Sequence, residues 1–437
     1  MPLAGRPDSR KRVMMLSRWQ WLLRQLGRRL WVRVSLFSLG AVVTALLGTV
    51  LEGLIPNWVP AEIGVDALDN ILGILASSML AVTTFSLTTM VTAYTATTSN
   101  ATPRSSQLLM DDPTTQNALG TFIGSFVFSL VGIILLTTGA YGENGRLVLF
   151  IVTIAVVILI VVTMLRWIDY LSTVGRTGEI TDKVEAAAAQ ALRQRMEQPY
   201  LGGRPLRDGR AEVPPGAVPV HGEQIGYVQH IDIEALDEAA AAADGEVFVL
   251  VLPGSFVDPS KPLAMASGVD DEQSQKIAES FTIGHERSFD QDPRFGICVL
   301  AEIASRALSS GVNDPGTAID VIGSGVRVLA AWRPPDDADA AADADAACRR
   351  VRVPPLDTAG LFDDFFGPIA RDGAAIVEVQ IRLQKGLATL AALGSPAIGE
   401  NARRHAARAL ARAEQALALE ADKATLRDLE SRLSTPG

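Results

Sequence analysis

The densest group of side chains suited to acid–base or metal chemistry is His285-Glu286-Arg287, followed by Asp290 and Asp292. A metal site or a general acid–base pair needs such groups to converge on one surface. The HEXXH zinc signature is absent, however. The chain has 4 histidines, and none of the others lies near His285 in the sequence. The pattern therefore favours a charged network at a helix end over catalysis.

The remaining enzyme signatures are also absent. The chain has no GxSxG, no GxxxxGK[ST], and no GxGxxG that opens a helix after a strand. Its 2 cysteines, Cys298 and Cys348, form no CxxC motif and no cluster with histidine. We predict no catalytic residue, no metal ligand and no cofactor.

Hydroxyl side chains form the most unusual pattern in the apolar part of the chain. At 100° per residue of helix, five of them fall within a stripe of about 80°; they are Ser77, Thr84, Thr88, Thr92 and Thr95. Two interpretations stay open, since such residues permit close packing of helices and also suit a water-lined surface. Our hypothesis is that the stripe lines a pore in a homo-oligomer. Arg104, in the loop that follows, would then lie near the pore mouth and attract anions.

Small residues recur at helical spacing in the next apolar stretch. Gly120 and Gly124 are four residues apart, and Gly132 follows two turns later. Residues of this size let two helix backbones approach closely within a membrane. We predict that these glycines mediate helix packing.

Four apolar stretches are long enough to cross a hydrocarbon core, which requires about 20 residues in a helix. They define a four-helix transmembrane domain over residues 34–168; the stretches are Val34–Ile55, Ile71–Thr95, Ala118–Tyr141 and Leu147–Ile168. A wholly soluble protein is excluded.

Basic residues predict the orientation of these spans. Residues 1–33 carry nine Lys or Arg and one acid. Arg166 closes the last span, and Arg176 and Lys183 follow it. Because basic flanks stay in the cytoplasm, we expect both termini there. Leucines and a tryptophan at helical spacing among the arginines predict that residues 1–33 form an amphipathic helix on the inner membrane surface.

The rest of the chain has soluble character. We predict a helical connector and Pro/Gly-rich linker at 169–222, a small β unit at 223–268, and a helical domain at 269–437 with an acidic low-complexity insertion at 336–350. The predicted fold is thus a membrane all-α domain followed by a mainly helical α+β cytoplasmic domain. Because the net charge is −10 and the basic residues crowd into the N-terminal segment, a nucleic-acid partner is excluded.

Asn313-Asp314-Pro315 has the pattern of a helix start, since Asp can cap a helix and Pro is tolerated at its first position. The helix would pack against a preceding one at Arg294–Leu308. A site that uses Asp292, Arg306, Asn313 or Asp314 stays the alternative to a purely structural role.

The stretch FDQDPRFGICVLAEIASRALSSGVNDPGTAID, residues 289–320, resembles the signature of a bacterial family of membrane proteins, the domain-of-unknown-function family 2254. The Pro103-Arg104 loop and residues 116–122 also resemble that family. Ser310 stands where the family usually has Pro, and the acidic insertion is a second departure. The resemblance implies an integral protein of the bacterial inner membrane and implies no activity.

Three classes of function follow from these patterns. The first is an oligomeric channel or transporter with a cytoplasmic domain that assembles or regulates it, conducting a small ion or ligand. The second is a membrane-anchored sensor or scaffold, and the third is a membrane-bound enzyme. Ionisable residues within spans mark many transport pathways, and their scarcity here disfavours proton-coupled transport without excluding a hydroxyl-lined pore.

Overall fold

The computed structural model describes residues 23, 26–27, 29–51, 65–110, 112–173, 176–335 and 346–434. Most of the predicted surface helix at 1–33, and residues 336–345 of the acidic insertion, lie outside these ranges. The chain divides into two compact units, an N-terminal unit from Leu23 to Ile180 and a C-terminal unit that begins at Thr181.

Within the described residues, the secondary structure of the N-terminal unit consists of helices joined by short turns. Four of its helices are long and apolar enough to cross a membrane, as the sequence predicts. Its helices are α1 (Leu30–Leu51), α2 (Val65–Asn100), the short α3 (Ser106–Met110), α4 (Pro113–Thr137) and α5 (Glu143–Thr173). With 36 residues, α2 extends about 54 Å at 1.5 Å per residue, well beyond a hydrocarbon core of about 30 Å.

Helix α4 lies at the centre of this unit and packs against α1, α2 and α5. Asp112 caps its first turn by accepting a hydrogen bond from the Thr114 amide, and Pro113 occupies the first helical position. Leu119, Phe122 and Phe128 on this helix are at most 2% exposed. The centre of the unit is therefore filled with side chains.

The C-terminal unit combines helices with two small sheets. Its first part contains α6 (Thr177–Glu197, which begins just before the unit boundary), β1 (Arg204–Pro205), β2 (Val218–His221), β3 (Gly226–Ile231), α7 (Ile233–Ala242), β4 (Glu246–Val249), β5 (Phe256–Val257), β6 (Pro262–Ser267), α8 (Asp271–Glu279) and β7 (Phe281–Gly284). The remainder contains α9 (Pro293–Ala307), α10 (Pro315–Ala331), β8 (Val351–Val353), α11 (Thr358–Asp372), α12 (Val377–Leu393), α13 (Pro396–Ala416) and α14 (Glu420–Ser434). This arrangement confirms the predicted class of four apolar helices followed by a mainly helical α+β domain.

The strands form a five-stranded sheet in the order β1-β8-β4-β6-β2 and a three-stranded sheet in the order β5-β3-β7. Strand β8 pairs in parallel with β1 and β4, and the other pairs are antiparallel. Helices α7 and α8 pack on strands of these sheets around a buried apolar core. Strands β1, β2, β7 and β8 lie outside 223–268, so the β structure extends beyond the range predicted for it.

The last helices build a second layer. Helix α9 packs against α10 and α11, α10 packs against α12, and α13 contacts α11, α12 and α14. Phe362, Phe365 and Phe366 of α11 are fully buried among them. A side chain could not be added at Gly325 of α10, because its Cβ would overlap the Phe365 ring.

Candidate functional site

The predicted hydroxyl stripe lies on the outward face of α2. The residues of α2 that are buried in the unit include Leu68, Leu72, Met79 and Ala93. At 100° per residue, the stripe is centred about 180° from this buried face. All five of its members, Ser77, Thr84, Thr88, Thr92 and Thr95, are exposed in the single chain.

Each stripe hydroxyl donates a hydrogen bond to the backbone carbonyl one turn earlier in α2. The donor–acceptor distances are 3.0 Å for Ser77 to Gly73, 2.9 Å for Thr84 to Leu80, 3.0 Å for Thr88 to Thr84, 3.0 Å for Thr92 to Thr88 and 2.9 Å for Thr95 to Val91. The hydroxyl hydrogen is thereby used within the helix, whereas the oxygen keeps lone pairs that can accept a further hydrogen bond.

The outward face of α5 has a different chemistry. Ile151 and Ile158 are each 59% exposed there, and Leu165 is 64% exposed. Of the four apolar helices, α5 has the highest mean hydropathy and α2 the lowest. The unit thus presents one apolar surface and one surface on which a line of hydroxyl oxygens runs between exposed apolar side chains such as Leu80, Phe85 and Val91.

Arg104 lies in the turn between α2 and α3 and is exposed. Its backbone amide donates to the Thr102 hydroxyl across 3.0 Å, and Thr102 itself is buried. The turn is therefore anchored, and it carries the arginine within a few residues of the end of α2.

The three predicted packing glycines lie on the buried surface of α4. A Cβ at Gly120 would lie 2.8 Å from Cδ2 of Phe37, and one at Gly124 would lie 3.3 Å from the Phe37 carbonyl oxygen. Helix α1 therefore approaches α4 along these two glycines. Gly132 faces α2 instead, where a Cβ would lie 3.2 Å from Cδ1 of Leu72.

In the C-terminal unit, Asn313-Asp314-Pro315 starts α10. The Asp314 carboxylate accepts hydrogen bonds from the Thr317 amide at 3.0 Å and from the Thr317 hydroxyl at 2.6 Å. Asn313 has φ 51°, a left-handed conformation that asparagine tolerates better than most residues. Arg306 is exposed in the last turn of α9, and the structure does not bring it to Asp292, which caps the first turn of the same helix.

Asp292 is the centre of a buried polar cluster. The carboxylate is 1% exposed and accepts two hydrogen bonds from Arg287, from Nε at 2.7 Å and from Nη2 at 3.0 Å. A third comes from the Phe295 amide at 3.2 Å. Gly254, at φ 91°, passes so close that a Cβ there would overlap the carboxylate.

The two hydrogen bonds from Arg287 favour an ion pair in this cluster, against burial, which raises the pKa of the Asp292 carboxyl above its usual value. Burial on its own lowers the pKa of Arg287, but the hydrogen bonds and the charge of Asp292 raise that pKa above its usual value. Burial raises the pKa of the Cys298 thiol, 3.5 Å from Arg287, to about 11, so this thiol stays protonated at neutral pH. Burial likewise lowers the pKa of Arg195 to about 10, opposed by the charge of Asp292.

This arrangement does not resemble an acid–base site. Asp292 and Arg287 neutralise each other, and Cys298 is not poised as a thiolate. Among the residues that the structure describes, no three of the types His, Cys, Asp and Glu converge to hold a metal ion. Sequence reasoning singled out Asp292 but missed Gly254 and Arg195 as its neighbours. The Asp-Pro pair at 292–293 has the same pattern as the helix start at 314–315, and this pair was the sequence signal for the capping role of Asp292.

Comparison with known proteins places this architecture in a family. Uncharacterized proteins of Mycobacterium bovis and of two strains of Mycobacterium tuberculosis are 26% identical to the chain over 351 residues, which is 74% of this chain and 64% of each relative. The chain thus spans less than two thirds of the length of these relatives. No solved structure matches it. Residues 27–389 match the family described as predicted membrane protein, DUF2254, and the chain belongs to that family.

Proposed function

We propose that the protein is a homo-oligomeric membrane channel in which the hydroxyl face of α2 surrounds the conduction path. The observation that carries this proposal is the difference between the two outward faces of the N-terminal unit. The aliphatic face of α5 suits lipid, while the oxygens of Ser77, Thr84 and Thr88 recur along α2 where it would cross the hydrocarbon core. Two such faces on one unit suit two different environments.

The filled centre of the unit favours a path between copies over a path within one. Phe122 and Phe128 occupy the middle of the bundle and are at most 1% exposed. A ring of identical subunits around a symmetry axis would instead bring several α2 faces together. Each copy would contribute one line of hydroxyl oxygens to the wall.

The chemistry of this wall is neutral. The stripe hydroxyls donate to their own helix, so their oxygens remain to accept hydrogen bonds from water. Charge selection would therefore depend on groups at the ends of the path, of which Arg104 is the exposed cation nearest the end of α2 along the chain. We expect Arg104 to make the channel prefer small anions, against the opposite charge of the exposed Asp66 at the other end of α2.

The orientation that fits this proposal places both termini in the cytoplasm of a bacterial cell, with the C-terminal unit serving assembly or regulation. Arg33 at the start of α1 and Arg166 near the end of α5 then lie on the same side. A membrane-impermeant thiol reagent should label a cysteine at Ala67, exposed at the start of α2, in intact cells. It should label a cysteine at Ala186 only after lysis; the opposite pattern would reverse the orientation.

A membrane-anchored sensor or scaffold is the principal competitor. Ser77, Ala81, Thr84 and Thr88 are all small or β-branched, and their spacing also suits close contact between two α2 helices without a lumen. In that case the protein would still self-associate, but the hydroxyl stripe would be packed between helices and would not contact water. Enzymatic function ranks third, because the buried Asp292 cluster is self-neutralising.

Thiol accessibility separates these functions. In a variant that lacks Cys298 and Cys348, single cysteines at Thr88 and at Ile158 place the probe on the two outward faces. We expect a small water-soluble thiol reagent to modify residue 88 in liposomes and to leave residue 158 unmodified. Equal protection of both positions would favour the scaffold.

A further inference from the structure

An apolar groove lies on the side of the N-terminal unit where α1 and α5 flank α4. Its walls are the Leu36–Thr44 segment of α1 and Val156 with Leu159 of α5, and its floor is the Thr121–Phe128 segment of α4. The volume is about 430 Å³, within the range of about 300–1,000 Å³ for ligand cavities. The Thr44 and Thr121 hydroxyls donate to their own helices, so the lining offers little polar chemistry.

One end of the groove is closed by packing. Tyr141 donates its phenolic hydrogen to the Ala45 carbonyl across 2.6 Å, one residue beyond the groove. Ala45, Phe128 and Leu149 belong to the same buried cluster. Helices α1, α4 and α5 are thus held together at this end.

The other end of the groove leads to a guanidinium. Arg33 precedes Leu36 by one turn of α1, and its Nη1 donates to Oδ1 of Asn117 at 3.3 Å. Its Nε donates to the Gly27 carbonyl at 3.1 Å. Both acceptors are neutral, so these contacts fix the position of the guanidinium without cancelling its charge.

An apolar groove with a cation at its end suits the two parts of a phospholipid, its acyl chain and its phosphate. At about 30 Å³ per water-sized group, the groove has room for roughly fourteen methylene-sized groups, close to one acyl chain. Because lipid tails are as apolar as the groove, burial from the bilayer gives no hydrophobic preference, and selectivity must come from the headgroup. A guanidinium binds phosphate through charge-assisted hydrogen bonds, and it favours a net anionic headgroup over phosphatidylcholine, whose choline cation neutralises the phosphate.

We propose that this groove is a binding site for one anionic glycerophospholipid, with an acyl chain between α1 and α5 and the headgroup phosphate at Arg33. The lipid belongs to the leaflet on the Arg33 side. This site is independent of the proposed channel, since every residue that forms it lies away from the hydroxyl face of α2.

Two glycines provide a matched pair of variants. A Cβ at Gly40, in the groove wall, meets nothing within 4 Å, and the same holds at Gly73 of α2, which does not line the groove. Gly40→Leu should therefore fill the groove without disturbing the helix packing. Gly73→Leu adds the same side chain to a membrane helix elsewhere and serves as the control.

The full-length protein is purified in detergent with dioleoyl phosphatidylglycerol or dioleoyl phosphatidylcholine, and retained lipid is counted by native mass spectrometry. We expect wild type to retain one phosphatidylglycerol in preference to phosphatidylcholine by roughly fivefold, the factor that corresponds to about 1 kcal/mol per basic residue. Arg33→Gln should abolish this preference and Arg33→Lys should partly restore it. Gly40→Leu should lose the lipid, and Gly73→Leu should keep it.

Three outcomes would overturn the proposal. They are equal retention of the two lipids by wild type, an unchanged preference in Arg33→Gln, and wild-type retention in Gly40→Leu. Size-exclusion profiles of the variants show whether each is folded. Because thiol accessibility at residue 88 is measured separately, loss of the lipid site would leave the channel proposal standing, and the reverse also holds.

Discussion

The ring of Phe37 on α1 lies directly over Gly120 on α4, where a Cβ would come within 2.8 Å of Cδ2. This contact sets how closely the first apolar helix approaches the central one. Gly124, one turn further along, meets the backbone of the same phenylalanine. The two glycines together therefore provide the surface on which α1 rests.

Gly120→Ala should weaken this packing. The added methyl group must displace the Phe37 ring, and overpacking of this kind costs about 1–3 kcal/mol. Gly40→Ala is the control, because its Cβ position is open and alanine favours the helix. Thermal unfolding in detergent should show a lower midpoint for the Gly120 variant only; equal midpoints would mean that this contact does not limit stability.

Asp314 should act as a structural cap of α10. Replacing it by Ala removes the acceptor for the Thr317 amide and should lower the free energy of unfolding by about 0.5–2 kcal/mol. Asp314→Asn, which also caps well, should lose much less. If both variants kept wild-type stability while ion flux vanished, the motif would have a functional role instead.

The Arg287–Asp292 pair should show strong coupling in a double-mutant cycle. Removing one partner leaves a buried charge and typically costs about 3–5 kcal/mol. Arg287→Met alone and Asp292→Asn alone should therefore each destabilise the C-terminal unit, and the double variant should be less destabilised than their sum. Strict additivity in urea unfolding would show that the two residues do not interact in solution.

His405 should make stability depend on pH. Burial lowers the pKa of this imidazole to about 4, with Asp363 opposing the shift from 3.1 Å. Its folded-state pKa is thus below the unfolded value of about 6.5, so the unfolded chain binds the proton first. The stabilising contribution is fully present above about pH 6.5 and is lost as the pH falls toward 4, by up to about 1.4 kcal/mol per pH unit.

The measurement compares the unfolding free energies of wild type and His405→Gln between pH 4 and 8. Glutamine does not titrate, so the difference between the two proteins should change below about pH 6.5 and be constant between about pH 6.5 and 8. A difference that stayed constant throughout would show that His405 titrates alike in both states.

Much of this architecture follows from local sequence patterns. Long apolar runs define the four spans, and the 100° periodicity places the five stripe hydroxyls of α2 on one exposed face, whereas Ser86 of the same helix is buried. What the sequence does not reveal is which surface meets which neighbour, because that depends on contacts between distant segments. Gly120 and Phe37 are far apart in the chain. The Pro253-Gly254 pair indicates a turn, but no local pattern reports that this turn approaches Asp292. The short strands β1 and β8 were missed for the same reason, since each is only 2 or 3 residues long and is held by its partner.

The direct test of the central claim is ionic current through the purified full-length protein in a planar lipid bilayer. We expect discrete conductance that favours anions, a weaker anion preference in Arg104→Gln, and a change in current when a thiol reagent modifies a cysteine at Thr88 in the variant without native cysteines. The same reagent should leave the current unchanged when the cysteine replaces Ile158. Absence of current from protein that is folded and inserted, with residue 88 unreactive, would contradict the channel and leave the membrane-anchored scaffold.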